Sequence, residues 1–168
     1  MTITLTVRPF AVEAWALYQD LRLRALADAP EAFGSTLAHE QNRSDADWSA
    51  RLAEGAASGW DLPLLAEVDG QPAGLAWGRF DASDPNVAHL YQMWVAPSQR
   101  GRGVGQKLLE TVIAWARARH AAYLDLGVTV RDSPAMRLYQ RAGFQLAGQP
   151  EPLRPGAEEM AVRMRLIL

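Results

Sequence analysis

The chain is expected to fold as one domain, residues 1–168, around a mixed α/β sheet. Three observations predict this class. Helix and strand patterns alternate in the second half of the chain only. An Asp-Gly pair separates two apolar runs in the middle, a hairpin signal. The length of 168 residues suits one core, and such a chain buries about 70% of the surface it exposes when unfolded.

Taken in order, Thr2 to Val7 alternates and is β-branched, so it reads as a strand. Ala14, Leu17, Tyr18, Leu21 and Ala25 recur at helical spacing over Val12 to Asp28, and Pro30 follows. A polar stretch from Gly34 to Asp47 leads to a second helix around Trp48 to Ala57. Leu62 to Val68 and Ala73 to Phe80 are the strands that flank Asp69-Gly70. Asp81 to Asn86 reads as a turn-rich loop, and Val87 to Val95 as a long strand stopped at Ala96-Pro97. In that strand, alternation puts His89, Tyr91, Met93 and Val95 on one face. Gly103 to His120 is the clearest helix, with Val104, Leu108, Val112 and Trp115 as its apolar stripe. Tyr123 to Val130 is a strand. Ser133 to Arg141 is a short helix with Ser133 as N-cap, Pro134 in the first turn and Gly143 as C-cap. Strands follow from Phe144 and from Met160 to Leu168.

Composition narrows the function. Hydrophobic residues make up 49% and charged residues 21%, an ordinary globular profile. A net charge of −2 argues against nucleic-acid binding by global attraction. The absence of cysteine excludes disulfides, thiolate metal sites and a cysteine nucleophile. His39, His89 and His120 lack metal-ligand spacing, so no metal is expected. No signal-peptide pattern opens the sequence, and no apolar stretch approaches the ~20 residues that span a bilayer. A cytoplasmic location without membrane partners is therefore expected.

Gln99-Arg100-Gly101-Arg102-Gly103-Val104-Gly105 is the most informative segment. It joins the strand ending at Val95 to the long helix. A helix start leaves main-chain N–H groups unpaired, and these attract an anion together with the helix dipole. Glycines let a bulky diphosphate approach the backbone, and Arg100 and Arg102 add charged donors. The bland alternative is a turn that only redirects the chain. A Walker loop requires Gly-Lys followed by Ser or Thr, but Gln106-Lys107-Leu108 follows Gly105. The dinucleotide fingerprint requires a third glycine where Gln106 stands.

Val95-Ala96-Pro97 followed by Arg100-Gly101-Arg102-Gly103-Val104-Gly105 resembles the acetyl-CoA signature of the GNAT N-acetyltransferase superfamily. Ala135-Met136-Arg137-Leu138-Tyr139-Gln140-Arg141-Ala142-Gly143-Phe144 is similar to a second motif of that family, in the same order and spacing. The resemblance covers essentially the whole chain. It implies a largely antiparallel twisted sheet with helices on both faces. It also implies acetyl-CoA as co-substrate and direct attack by a primary amine of a small molecule or peptide.

By carry-over, the pyrophosphate of CoA rests on Arg100, Gly101, Arg102, Gly103, Val104 and Gly105, and the pantetheine arm pairs with Met93, Trp94 and Val95. The strands at Val87–Val95 and Tyr123–Val130 should splay apart around it. Tyr139 takes the place of the family's leaving-group acid; the alternative is a core aromatic. His89 occupies the spacing of a base glutamate found in some members, and its alternative is a half-exposed strand histidine. Other members place a glutamate where Gly127 stands. Asp132 replaces the asparagine that bonds the pantetheine arm, and an ionised aspartate cannot donate.

On the substrate side, Asp28, Glu31, Glu40, Asp45 and Asp47 can attract a cationic amine or serve as solvated caps. Trp48, Trp60 and Trp77 can line a pocket or pack the core. Many relatives are dimers, so a homodimer is implied by analogy. The competing function is a non-catalytic acyl-CoA-binding sensor or interaction module of the same fold.

Overall fold

The structure, a computed structural model, describes Thr2 to Leu168. Eight strands form one sheet: β1 (Leu5–Pro9), β2 (Asp61–Val68), β3 (Gln71–Asp81), β4 (Asp84–Val95), β5 (Tyr123–Thr129), β6 (Gln145–Leu146), β7 (Glu151–Pro152) and β8 (Met160–Ile167). The spatial order is β1-β2-β3-β4-β5-β8-β6, with β7 also on β8. Every pair is antiparallel except β4–β5. Five α-helices accompany the sheet: α1 (Trp15–Asp28), α2 (Leu37–Glu40), α3 (Asp45–Ala57), α4 (Val104–Ala118) and α5 (Pro134–Ala142). The expected mixed, largely antiparallel sheet with a helical layer on each face is what forms.

One face of the sheet packs on α4 and α5. Val104, Leu108, Leu109, Val112 and Ala116 of α4 meet Leu64, Ala66, Ala88, Leu90, Leu124 and Leu126 there. The other face takes α1 and α3, with Tyr18, Leu21 and Ala25 of α1 and Trp48 and Leu52 of α3 around Leu65, Leu75, Trp77 and Trp94. Each fully buried large apolar side chain contributes roughly 1.5–3 kcal/mol, so these two layers hold the sheet between them.

Local chemistry fixes the ends. Asp69 and Gly70 have φ of 50° and 78°, the left-handed pair that a tight β2–β3 hairpin requires. Ser133 accepts a hydrogen bond from the Met136 N–H at 3.1 Å, and Gly143 at φ 103° closes α5. α3 begins at Asp45, three residues before the expected Trp48, because Ser44 caps it through the Asp47 N–H at 3.1 Å.

The 81–86 loop is largely absent. Asp81 pairs with Asp84, so β3 and β4 meet in a tight turn at Ala82-Ser83. The Asp81 carboxylate accepts the Ser83 N–H there at 2.9 Å, compensating for a turn that lacks glycine. β1 runs from Leu5 to Pro9, two residues beyond the expected end, because its ladder with β2 continues to Pro9↔Leu64. Phe144 is buried, and only Gln145–Leu146 beyond it forms a strand.

A second correction matters for the site. Leu75 pairs with Trp94 and Trp77 pairs with Tyr91, so two steps along β3 match three along β4. The extra residue is a bulge at Gln92, whose φ is 57°. It inverts the parity of the strand. Met93 and Val95 therefore join Ala88 and Leu90 on the α4 face, while His89 and Tyr91 point to the α1 face. The four do not share a face, as strict alternation predicts.

Candidate active site

β4 and β5 run parallel from Val87↔Tyr123 to Leu90↔Leu126 and then share no ladder. The sheet forks there, as expected for the two strands. A cleft of about 1810 Å³ opens at the fork and is lined from both sides of the sheet. From one side come Arg22, Phe33, His89 and Tyr91; from the other come Gly103, Val104, Leu138 and Tyr139.

The glycine-rich segment forms the edge of this cleft. After Val95 the chain makes a short turn, Pro97–Gln99, and reaches Gly101 and Gly103 with φ of 77° and 83°. A β-carbon at either would meet no protein atom, so the space in front of the loop is open. Lys107 makes the first main-chain bond into the helix, to the Gly103 carbonyl at 3.0 Å. Among the described residues, no protein acceptor takes the N–H groups of Gly101 through Gln106, and no side chain caps α4. Such a row of oriented donors at a helix start is an anion cradle, and it fits the diphosphate of CoA. Gly105 serves differently: a β-carbon there would touch Leu138 at 3.4 Å, so its absence lets α5 lie against α4.

The flanking arginines differ from each other. Arg100 donates through Nε to the Val95 carbonyl at 3.0 Å and through Nη2 to Asp28 at 2.6 Å. The same Asp28 oxygen accepts the Trp94 indole N–H at 2.9 Å. That indole bond, with help from Arg100, holds the Asp28 carboxyl below the usual range. The network ties the end of α1 to the end of β4 and braces the loop. Arg102 is exposed and does not line the cleft.

Tyr139 is 5% exposed, packs edge-on against Phe144 at 5.8 Å between ring centres, and lines the cleft. Burial alone drives its phenol far above the ordinary value, because no protein hydrogen bond offsets the desolvation. It therefore stays protonated at every working pH. His89 is half-buried and stacked on Tyr91, with ring centres 5.8 Å apart and planes 12° apart. It stands opposite Asp125 of β5, a buried carboxylate that Arg165 holds through bonds of 2.7 and 2.9 Å. Met93, Trp94 and Val95 line the cleft along β4. Asp132 does not; its carboxylate pairs with Arg137 at 2.6 Å and its side chain is 82% exposed.

The acidic residues near the first helices are mostly engaged. Glu31 pairs with Arg131 at 3.0 Å, and Glu40 with Arg43 and Arg51 at 2.6 and 3.0 Å. Asp45 and Asp47 lie in the first turn of α3, where the helix dipole favours them. Trp48 is a core residue, while Trp60 and Trp77 line the cleft.

Three contributions escape a reading of motifs. Tyr18 donates to the Gln92 amide oxygen at 2.8 Å and so pins the bulge. Asp28 anchors Arg100. Arg22 enters the cleft from the buried face of α1, and the signal for it is a charge inside the apolar stripe Tyr18, Leu21, Ala25.

The sequence model of the Acetyltransferase (GNAT) family matches residues 15–144. The chain is 30% identical over 154 residues to a mycothiol acetyltransferase of Acidothermus cellulolyticus, covering 83% of this chain and 43% of that protein. It is 35% identical over 89 residues to the streptothricin acetyltransferase of Streptomyces lavendulae, covering 53% and 47%. The chain thus spans less than half the length of these relatives. A protein of Salmonella typhimurium, solved with its cofactor acetyl-CoA, superposes with a TM-score of 0.81 at 20% identity over 98% of this chain and 94% of that one. The spermidine N-acetyltransferase of Vibrio cholerae, in complex with CoA and spermine, gives 0.79 at 17% identity over 97% and 95%. At these identities the likeness is one of fold. With the forked sheet, the donor row at α4 and the family match over residues 15–144, the chain belongs to the Acetyltransferase (GNAT) family.

Proposed function

We propose that this chain is an acetyl-CoA-dependent N-acetyltransferase that acetylates a primary amine of a small molecule or peptide by direct attack. The observation that carries this reading is the row of unpaired N–H groups from Gly101 to Gln106, opening into the same cleft as the Tyr139 hydroxyl. Streptothricin, mycothiol and spermidine acetyltransferases among its relatives support a small-molecule acceptor. Residues 1–168 act as one domain. Among the described residues no helix is long and apolar enough to cross a membrane, and a cytoplasmic site of action is part of the proposal.

The main-chain N–H groups of the segment from Arg100 to Gly105 hold the diphosphate, with Arg100 acting chiefly as the brace of the loop and Arg102 contributing its backbone. Met93, Trp94 and Val95 offer a strand edge to the pantetheine arm, which lets the thioester reach the fork. Acetyl-CoA supplies the activated acetyl group. The fork separates two roles by sheet face. Tyr139, on the α4–α5 face, donates its proton to the departing thiolate. His89, on the α1–α3 face, takes the proton of the incoming amine. A main-chain N–H freed at the fork stabilises the oxyanion, and holding both reactants in one cleft supplies proximity. Asp132 is at most an outer contact of the cofactor.

A thiol-release assay with acetyl-CoA and a panel of primary amines tests the reading. Acetyl-dependent thiol release with some amine is expected. Stabilisation by CoA with silence across the panel would leave only the acyl-CoA-binding module. The base is tested by His89→Gln at saturating acetyl-CoA: a fall on the order of 10²-fold in kcat is expected, and an unchanged kcat removes His89 from the reaction.

A further inference from the structure

Arg22 stands where a charge is costly. α1 turns Tyr18, Leu21, Ala25 and Leu26 toward the sheet, and Arg22 lies within that stripe at 5% exposure. Withdrawing a cation from water costs several kcal/mol unless it is paired. Among the described residues, Arg22 Nε and Nη1 have no hydrogen-bond partner. The guanidinium does lie over the Phe33 ring, 4.8 Å from its centre. That contact engages the face of the cation and leaves its in-plane donors free.

Among the described residues, no carboxylate forms an ion pair with Arg22, and the buried Glu40, whose charge acts on it, is engaged elsewhere. Glu40, with 3% of its side chain exposed, accepts at Oε2 from Arg43 Nε at 2.6 Å and from Arg51 Nη1 at 3.0 Å. Three cations, Arg22, Arg43 and Arg51, therefore share the field of one buried carboxylate. Burial pulls the Arg22 guanidinium below its ordinary value, with Tyr18 and Glu40 opposing. That direction is what an unmatched buried cation should show.

The position of Arg22 relates it to the fork. It follows Tyr18 by four residues, one turn along the same face of α1. The Tyr18 hydroxyl bonds Gln92 at the bulge, beside the end of the β4–β5 ladder. Arg22, Phe33, Arg51, Tyr91 and Gln92 all line the same cleft as the donor row of α4. A guanidinium fork of this kind matches a carboxylate in charge and planar geometry.

We infer that the acceptor is an amine that also bears a carboxylate, an amino acid or a close analogue, and that Arg22 binds this carboxylate while the amine points to the fork. The inference rests on the acetyltransferase reading and narrows it. It assigns Arg22 as a specificity residue, with Arg51, held by Glu40, as a second cation lining the same cleft.

The test compares amino acids with their carboxamides and decarboxylated amines, for example phenylalanine, phenylalaninamide and phenethylamine, in the thiol-release assay with acetyl-CoA. For at least one such series, kcat/KM is expected to be roughly 100-fold higher for the carboxylate. The melting temperature of the CoA-bound protein is expected to rise with the amino acid and not with its amide. Equal or faster turnover of the decarboxylated amines overturns the inference and leaves the acetyltransferase reading intact. No turnover and no carboxylate-dependent stabilisation also overturns it. Failure of acetyl-CoA itself to stabilise the protein removes the underlying reading as well.

Arg22→Met supplies the residue-level test. It keeps the apolar stem and deletes the charge, so the melting temperature is expected to hold or rise while the preference for the carboxylate collapses. A folded variant that keeps the preference overturns the assignment. Should the variant not fold, the substrate series on the unaltered protein decides.

Discussion

Tyr139 and Tyr18 show how one residue type serves opposite ends at a single site. The Tyr139 hydroxyl has no protein partner to satisfy, so its ring belongs to the core and its oxygen to the cleft. Tyr139→Phe should therefore leave stability within about 0.5 kcal/mol, the range of changes away from structural features. It should lower kcat for acetyl transfer on the order of 10²-fold. Urea unfolding and steady-state thiol release measure the two quantities, and an unchanged kcat excludes the phenol as the leaving-group acid. Tyr18 is equally buried, but its hydroxyl is spent on Gln92 at 2.8 Å. Gln92 holds a left-handed φ of 57°, which costs roughly 1–2 kcal/mol for a residue with a β-carbon. Tyr18→Phe removes the pin on that strained residue. A loss of about 1–2 kcal/mol in unfolding free energy is expected, and an unchanged denaturation midpoint shows that the bulge stands without it.

The loop before α4 shows the same division at the scale of an element. Gly103 sits at φ 83° with open space where a β-carbon would go, so two substitutions there act by different routes. Gly103→Ala adds only left-handed strain, about 1 kcal/mol. Gly103→Glu places bulk and negative charge before the unpaired N–H groups and should abolish the rise in melting temperature that acetyl-CoA produces. Retained stabilisation in Gly103→Glu would mean that CoA binds elsewhere. This element was legible in the sequence because its chemistry is local: glycines, a helix start and a preceding Pro97 are contiguous. The Asp69-Gly70 hairpin and the Ser133 cap were legible for the same reason. What could not be read was set by pairing across the sheet. The bulge at Gln92 is visible only when β4 is laid against β3, and it moved Met93 and Val95 to the face opposite His89. The roles of Asp28 and Arg22 likewise depend on α1 crossing the end of β4, a contact across 72 residues in the Arg100–Asp28 pair. The turn at Ala82-Ser83 was hidden because its composition resembles a longer loop, while the register of β3 and β4 closes it.

Across the whole molecule, hydrogen-bonded carboxylates and buried phenols set the pH range in which the fold is stable. Asp28 is held below the usual carboxylate range chiefly by the Trp94 indole. Burial works against Glu40, yet Arg43 and Arg51 bring it to the same direction. A carboxyl whose folded value is depressed stabilises the fold above its unfolded value, near ~4, and that contribution is lost as pH falls through the folded value. Tyr139 and Tyr18 shift the other way, both raised first by burial. Their contribution is complete below the unfolded phenol value near ~10 and is lost as pH rises beyond it. The melting temperature is therefore expected to be flat between about pH 5 and 9, to fall on the acid side as Asp28 and Glu40 titrate, and to fall on the alkaline side as the unfolded chain releases tyrosine protons. Glu40→Gln separates the contributions. It leaves Arg22, Arg43 and Arg51 without their common counter-charge, so stability at neutral pH should drop by about 3 kcal/mol and the acid limb should flatten. Melting curves from pH 3 to 11 on both proteins measure this. An acid limb of unchanged steepness in Glu40→Gln would place the acid sensitivity in other carboxylates and remove Glu40 as the charge that holds α2 and α3 together.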